Sequence, residues 1–204
     1  MLTLMISKLE LLQASVKNFT RYGSKRVTMD ELSKTLGISK KTIYHHFQSK
    51  EELINASINH LIIHYKKNID QVLSKNQDPI ISIILLYKKG FEELRSLTPS
   101  FLYGLGKYYP EAKKIFDDFR RFFVDHLIHG LLEDAKSRNL IHKSVNINLF
   151  CDLYFRRIED LSHTNDSLLL DYSNDELLKH MIIFNMKGIL TETHLNSFNL
   201  SIDL

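Results

Sequence analysis

This chain is poor in the residues that define several protein classes. It has one cysteine, three prolines and seven glycines among 204 residues. A lone Cys151 excludes an intramolecular disulfide framework and suits a reducing compartment. The longest mostly apolar run, IISIILLY from Ile80 to Tyr87, is interrupted by Ser82 and is far too short to span a bilayer. The opening MLTLMISKLE has no basic segment and meets Glu10 early, which argues against a secretory signal. These absences imply a cytoplasmic protein with no membrane partner. Its start is Met1 or Met5, because the amphipathic pattern begins just after Met5. With 44% hydrophobic and 25% charged residues, the chain has enough apolar material for a sizeable globular core.

The overall charge of +3 conceals an asymmetry. Residues 1–68 carry 11 Lys and Arg against 5 Asp and Glu, and residues 69–204 carry 16 against 19. A basic amino-terminal third joined to a mildly acidic remainder implies that one end meets a polyanion. Solvated surface lysines give the same imbalance, so charge alone does not decide.

Few helix breakers and recurrent spacings of three and four predict an all-α chain. Leu9, Leu12, Val16 and Phe19 form the expected inward stripe of a first helix ending near Gly23. In VTMDELSKTLG, Thr28 and Glu31 make a capping box, and Val27 and Leu32 a hydrophobic staple. Gly37 supplies the left-handed turn that ends the second helix. Ser39 caps a third, with Ile38 and Ile43 as its staple. Two short stapled helices joined at a glycine form a helix-turn-helix signature.

Ser49 and Glu52 then open a long fourth helix to about Ser74, with Ile54, Ile58, Leu61, Tyr65, Ile69 and Val72 inward. Further helices are expected over Ile80–Leu97, from Glu111 to about Arg138, from Asn146 to about Ser162 and from Asp175 to about His194. A short aromatic segment lies between Pro99 and Pro110. TNDSLLLDYSN reads as a loop, and the tail after Leu195 as loose.

On the third helix, about 100° per residue puts Ile43, His46 and Phe47 on one face. The opposite face carries Lys41, Thr42, Tyr44 and His45, with Lys40 at its flank. Lysine can donate to guanine, a threonine methyl can contact thymine, and tyrosine and histidine can donate to phosphate. Lys50 sits in the first turn of the fourth helix, where free N–H groups favour an anion.

The stretch VTMDELSKTLGISKKTIYHHFQSKEELINASINHLI, preceded by ASVKNFTRYG, resembles the amino-terminal domain of the TetR family of bacterial transcriptional regulators. The likeness runs from about Lys8 to Ile63. It implies a three-helix helix-turn-helix headpiece linked by a long fourth helix to a carboxy-terminal helical bundle that dimerises. The expected division is 1–68 for DNA binding and 69–204 for ligand binding and dimerisation.

By this resemblance the protein is a regulator, usually a repressor, that binds a palindromic double-stranded DNA operator as a homodimer. A small-molecule effector releases it, and no cofactor is expected. Phosphate contacts are implied for Thr28, Tyr44, His45 and Lys50, and base or groove contacts for Lys40, Lys41 and Thr42. An effector pocket is implied among Phe101, Tyr103, Tyr108, Phe116, Phe119 and Phe123. Dimer contacts are implied for Phe150, Leu153, Tyr154, Leu178, Ile182, Met186 and Ile189. Ser24 departs from the family pattern, which often has an aromatic residue after the glycine.

Two other classes compete. A helical metal-binding enzyme would use pairs such as His60 and His64, or His126 and His129. A di-iron bundle needs two acidic-x-x-His motifs, and only Asp160 to His163 fits. There is no glycine-rich phosphate loop or G-x-S-x-G, so neither an enzyme nor a metal site is expected. A helix-turn-helix shape that binds protein is the other alternative, and the basic outward face weighs against it.

Overall fold

The computed structural model describes residues 6–156 and 171–201, and among these it is helical throughout. A single isolated antiparallel bridge, Ile141 with Leu190, lies outside the helices among the described residues. The chain divides into two compact units, Met1–Lys66 with Ser96–Phe119, and Lys67–Arg95 with Arg120–Leu204. The segment 96–119 therefore belongs with the headpiece helices, a grouping that chain order does not reveal.

In the first unit, α1 (Lys8–Tyr22) opens with a capping box: Ser7 Oγ accepts from Glu10 N at 3.1 Å while the Glu10 carboxylate accepts from Ser7 N at 2.8 Å. Its buried face is Leu11, Ser15 and Phe19, and Leu9 is 55% exposed. The expected stripe of Leu9, Leu12 and Val16 is thus rotated by about one residue. Ser15 can occupy the core because its hydroxyl donates to Leu11 O at 2.6 Å.

Helix α2 (Met29–Leu36) carries the Thr28–Glu31 capping box. Such a cap contributes about 1 kcal/mol. Gly37 ends the helix at φ 64°, ψ 28°, and Ile38 N closes the turn on Ser33 O at 3.0 Å. Helix α3 is Lys40–His46 and α4 is Lys50–Lys75. Ser49 Oγ caps Glu52 N at 3.0 Å, but the Glu52 carboxylate accepts from Gln48 N at 2.6 Å. The reciprocal half of the expected box is therefore displaced by one residue. Helix α4 buries Leu53, Ile54, Ser57, Ile58 and Ile62; Leu61 and Tyr65, expected inward, are half-buried.

The aromatic segment after Pro99 is a helix, α6 (Pro99–Tyr108), followed by α7 (Pro110–Phe122). Thr98 caps α6, and its own N and Oγ1 both donate to Thr20 O, at 3.1 and 2.9 Å. Ser24 is fully buried, and a Cβ added to Gly104 would overlap its Oγ. The departure at Ser24 thus has a physical reason: a small side chain admits α6 at a glycine. Gly104→Ala should cost about 1–3 kcal/mol by overpacking. Adding Ser24→Ala should recover most of it, because the Ser24 Cβ lies 3.6 Å from the built position. Urea melts of the four members of that cycle measure this. Simple additivity would mean that the two residues do not share the contact.

The second unit is built on α5 (Pro79–Leu94), whose Ile80, Ile83, Ile84, Tyr87 and Phe91 are buried. Asp78 caps it, Oδ1 accepting from Ile80 N at 2.8 Å, while Oδ2 lies 3.2 Å from His194 Nε2. The long helix expected from Glu111 runs on from α7 through a π-helical stretch, Phe123–Ile128, into α8 (His129–Ser137). A second π-helical stretch, Cys151–Phe155, follows α9 (Ile147–Phe150).

The helix expected from Asp175 comprises α10 (Asn174–Leu178), a third π-helical stretch (Lys179–Ile183) and α11 (Phe184–Lys187). It stops short of His194. The tail is a helix, α12 (Glu192–Ser201), anchored by the buried Phe198. The extension to Ser162, the expected loop over residues 164–170, the Asp160 and His163 pair, and both candidate start methionines lie outside the described residues.

The core of this unit joins Tyr87, Phe91, Val124, Ile128, Phe150, Phe155 and Ile182. Tyr87 stacks on Phe155 at 5.1 Å and meets Phe123 edge-on at 5.7 Å. Cys151 is buried there, and burial pushes its thiol up to about 11. It is a packing residue and a poor nucleophile.

Candidate nucleic-acid interface

Helix α3 is held from beneath by Ile43 and Phe47, both fully buried. The Lys8 ammonium sits 4.9 Å above the Phe47 ring, and His46 Nε2 lies 3.1 Å from Ile6 O. With that face fixed, the outward side is the one sequence spacing gives. Lys40, Lys41, Tyr44 and His45 are exposed and Thr42 is half-buried.

Several of these groups are already engaged. Lys40 donates to Asp30 at 2.8 Å, and that bond holds its ammonium above the ordinary lysine range. Ser39 Oγ and Thr42 Oγ1 share a hydrogen bond at 2.8 Å, and Ser39 Oγ also caps Thr42 N. Thr28 Oγ1 accepts from Glu31 N and donates to the Glu31 carboxylate, both at 3.1 Å. A phosphate accepts hydrogen bonds and does not donate them, so Thr28 must release Glu31 before its hydroxyl can serve one.

Lys50 is less open than its place in the first turn suggests. Its Nζ donates to Lys25 O at 3.2 Å and stands 5.6 Å from the Tyr109 ring centre. Partial burial lowers its ammonium below the usual lysine range, with Glu31 opposing. The bond to Lys25 O uses one of its three donors.

Side chains that the sequence reading left out also gather at this rim. Lys25 Nζ donates to Tyr108 Oη at 2.8 Å, and Lys107 Nζ donates to Tyr103 Oη at 3.1 Å. Lys25 and Tyr108 are 83 residues apart, so no local spacing could have paired them.

The aromatics expected to form an effector site are dispersed. In the first unit Phe101 and Phe116 are buried, Tyr103 is 65% exposed, Tyr108 is held by Lys25, and Phe119 stacks on Tyr65 at 6.1 Å. Phe123 belongs to the second unit. Of the expected dimer residues, Phe150, Leu178, Ile182 and Met186 are consumed by the second unit's own core, and Ile189 is partly buried against it. Those five cannot supply a large outward face. Leu153 and Tyr154 are exposed, as are Leu149 and Phe184 on the same helical stretches.

The histidine pairs have other neighbours: His126 stacks on Phe122 at 5.1 Å, and His129 Nε2 lies 3.0 Å from Asn148 Oδ1. Among the described residues no group of three His, Cys, Asp or Glu side chains is placed to hold a metal ion. No described helix is long and apolar enough to cross a membrane.

Residues 11–57, which contain the whole of α2 and α3, match the family model of bacterial regulatory proteins of the tetR family. Over that stretch the chain is similar to that family. An uncharacterised helix-turn-helix transcriptional regulator of Bacillus subtilis, YvaF, is 24% identical over 170 residues, covering 81% of this chain and 86% of its own. The transcriptional repressor KstR2 of Mycolicibacterium smegmatis is 26% identical over 163 residues, covering 74% and 73%. The solved structure of the regulator FadR from Bacillus subtilis in complex with stearoyl-CoA superposes with a TM-score of 0.71 at 16% identity, covering 90% of this chain and all of that one. The chain is thus similar to proteins named as helix-turn-helix transcriptional regulators. Its fold is the all-α headpiece-and-bundle architecture.

Proposed function

We propose that this regulator is a repressor that binds a palindromic operator as a homodimer and leaves it when a small molecule binds the helical carboxy-terminal region. The observation that carries the DNA half is α3 itself, anchored by Ile43 and Phe47 while presenting Lys41, Tyr44 and His45 to solvent. Lys40, Lys41 and Thr42 serve as base or groove contacts, and Thr28, Tyr44, His45 and Lys50 as phosphate contacts. A two-fold pair of such helices would enter successive major grooves about 34–36 Å apart. A relative named as a repressor, KstR2, supports the sign of regulation.

The effector is a molecule with a large apolar body. FadR was solved with stearoyl-CoA, and the second unit's core around Tyr87, Phe123 and Phe155 is of matching apolar character. Helix α4 belongs to the headpiece at one end and the second unit at the other. An effector that prefers one tilt of α4 would shift the spacing of the two headpieces.

Sequencing of DNA captured by the purified protein identifies the operator, and a panel of acyl thioesters and sterols is then screened for its release. Lys41→Ala should weaken the operator complex by about 1–3 kcal/mol and relax preference at one base pair. No enrichment of any duplex at low salt would end the DNA reading. Enrichment with no release by any apolar compound would end the effector reading alone.

A further inference from the structure

We propose that α6 carries a second DNA-backbone contact, formed by Lys107 with Tyr103 and Tyr108, which grips phosphates of the duplex flanking the site read by α3. This rests on the DNA-binding reading above and extends it outside the helix-turn-helix.

A continuous chain of contacts within the first unit supports it. Tyr103 Oη accepts from Lys107 Nζ, whose ammonium also stands 5.6 Å from the Tyr108 ring centre. Tyr108 Oη accepts from Lys25 Nζ, which lies 4.6 Å over the same ring. The Lys25 carbonyl accepts from Lys50 Nζ, and the Lys50 ammonium stands over Tyr109. Beyond Lys25 the backbone runs through the exposed Arg26 to Thr28 at the start of α2, and the α2 residue Asp30 holds Lys40 of α3. Lys107 and Tyr103 are therefore one end of a belt whose other end is the α3 rim.

The chemistry of that end suits a phosphate backbone. In both lysine–tyrosine bonds the lysine donates and the phenol oxygen accepts, so neither bond uses a phenol proton. Each ammonium keeps two further donors. Lys107 and Lys25 are bonded to phenol oxygens and not to carboxylates, while Glu31 lies near Arg26 and Lys50. Tyr103 and Lys107 are both exposed. A cluster of such donors recognises phosphate oxygens irrespective of base sequence.

The test is the salt dependence of binding to a labelled mixed-sequence duplex, followed by fluorescence anisotropy, for wild type, Lys107→Gln and Lys107→Arg. Circular dichroism melts check that each variant is folded. Loss of one phosphate contact reduces the slope of log K against log salt by about 0.9 per bound chain. Lys107→Gln should show that reduction and Lys107→Arg should not. A folded Lys107→Gln with the wild-type slope overturns the proposal, as does an equal loss in both variants, since that reports packing and not charge. A wild type with no salt dependence at all defeats the underlying DNA reading instead.

Discussion

If the proposed homodimer pairs through the exposed Leu153 and Phe184, a chain carrying Leu153→Glu together with Phe184→Glu should fold normally, sediment as a monomer and lose about 10²–10⁴-fold in affinity for the proposed operator. That range is the usual gain from tethering two binding modules to one ligand. Leu153 is 45% exposed and Phe184 53% exposed, so neither substitution opens the second unit's core. A carboxylate at a buried subunit contact has no counter-charge and carries a heavy desolvation cost. Leu178→Glu provides the contrast, because Leu178 is buried within its own chain and its replacement should unfold the unit whatever the oligomeric state. Sedimentation velocity decides the matter: a double variant that still migrates as a dimer would move the two-fold contact to another surface.

Phe47→Ala should lower the unfolding free energy by about 3–5 kcal/mol, the usual cost of emptying a phenylalanine site in a core. Phe47 is fully buried at the end of α3, its N–H closing the helix on Ile43 O at 3.0 Å. A domain has only about 5–15 kcal/mol in hand, so this single change would remove a large share of the margin. Tyr44→Ala, three residues earlier and half-exposed, should leave stability within about 0.5 kcal/mol of wild type while weakening DNA binding. Urea titrations separate the two effects. If Phe47→Ala proved as harmless to stability as Tyr44→Ala, α3 would not be anchored as described.

Local signals made the headpiece legible. Thr28 with Glu31, Gly37 and Ser39 each act within four residues, so their chemistry is written in adjacent letters, and the structure places them as that chemistry requires. The same kind of signal was available in SKLE, where Ser7 and Glu10 make a capping box that the reading passed over. Faces were harder. Ser15 occupies the α1 core through a bond to its own helix, which a hydrophobic count does not register.

The π-helical stretches at Phe123–Ile128, Cys151–Phe155 and Lys179–Ile183 widen the turn. An apolar stripe projected at 3.6 residues per turn therefore drifts off its true line along these helices. The pairing of Ser24 with Gly104, and of Lys25 with Tyr108, depends on helices brought together from distant parts of the chain. Neither pairing leaves a trace in spacing.

The carbonyl of Thr20 receives two bonds from Thr98, and Thr98 is itself the residue that starts α6. The tail of one helix and the head of another thus share a single acceptor. Fraying at either end strips the other of its closure, so the last turn of α1 and the first turn of α6 open as a joint event. Whatever loosens α6 is thereby felt at the end of α1, without any movement of α3 being required.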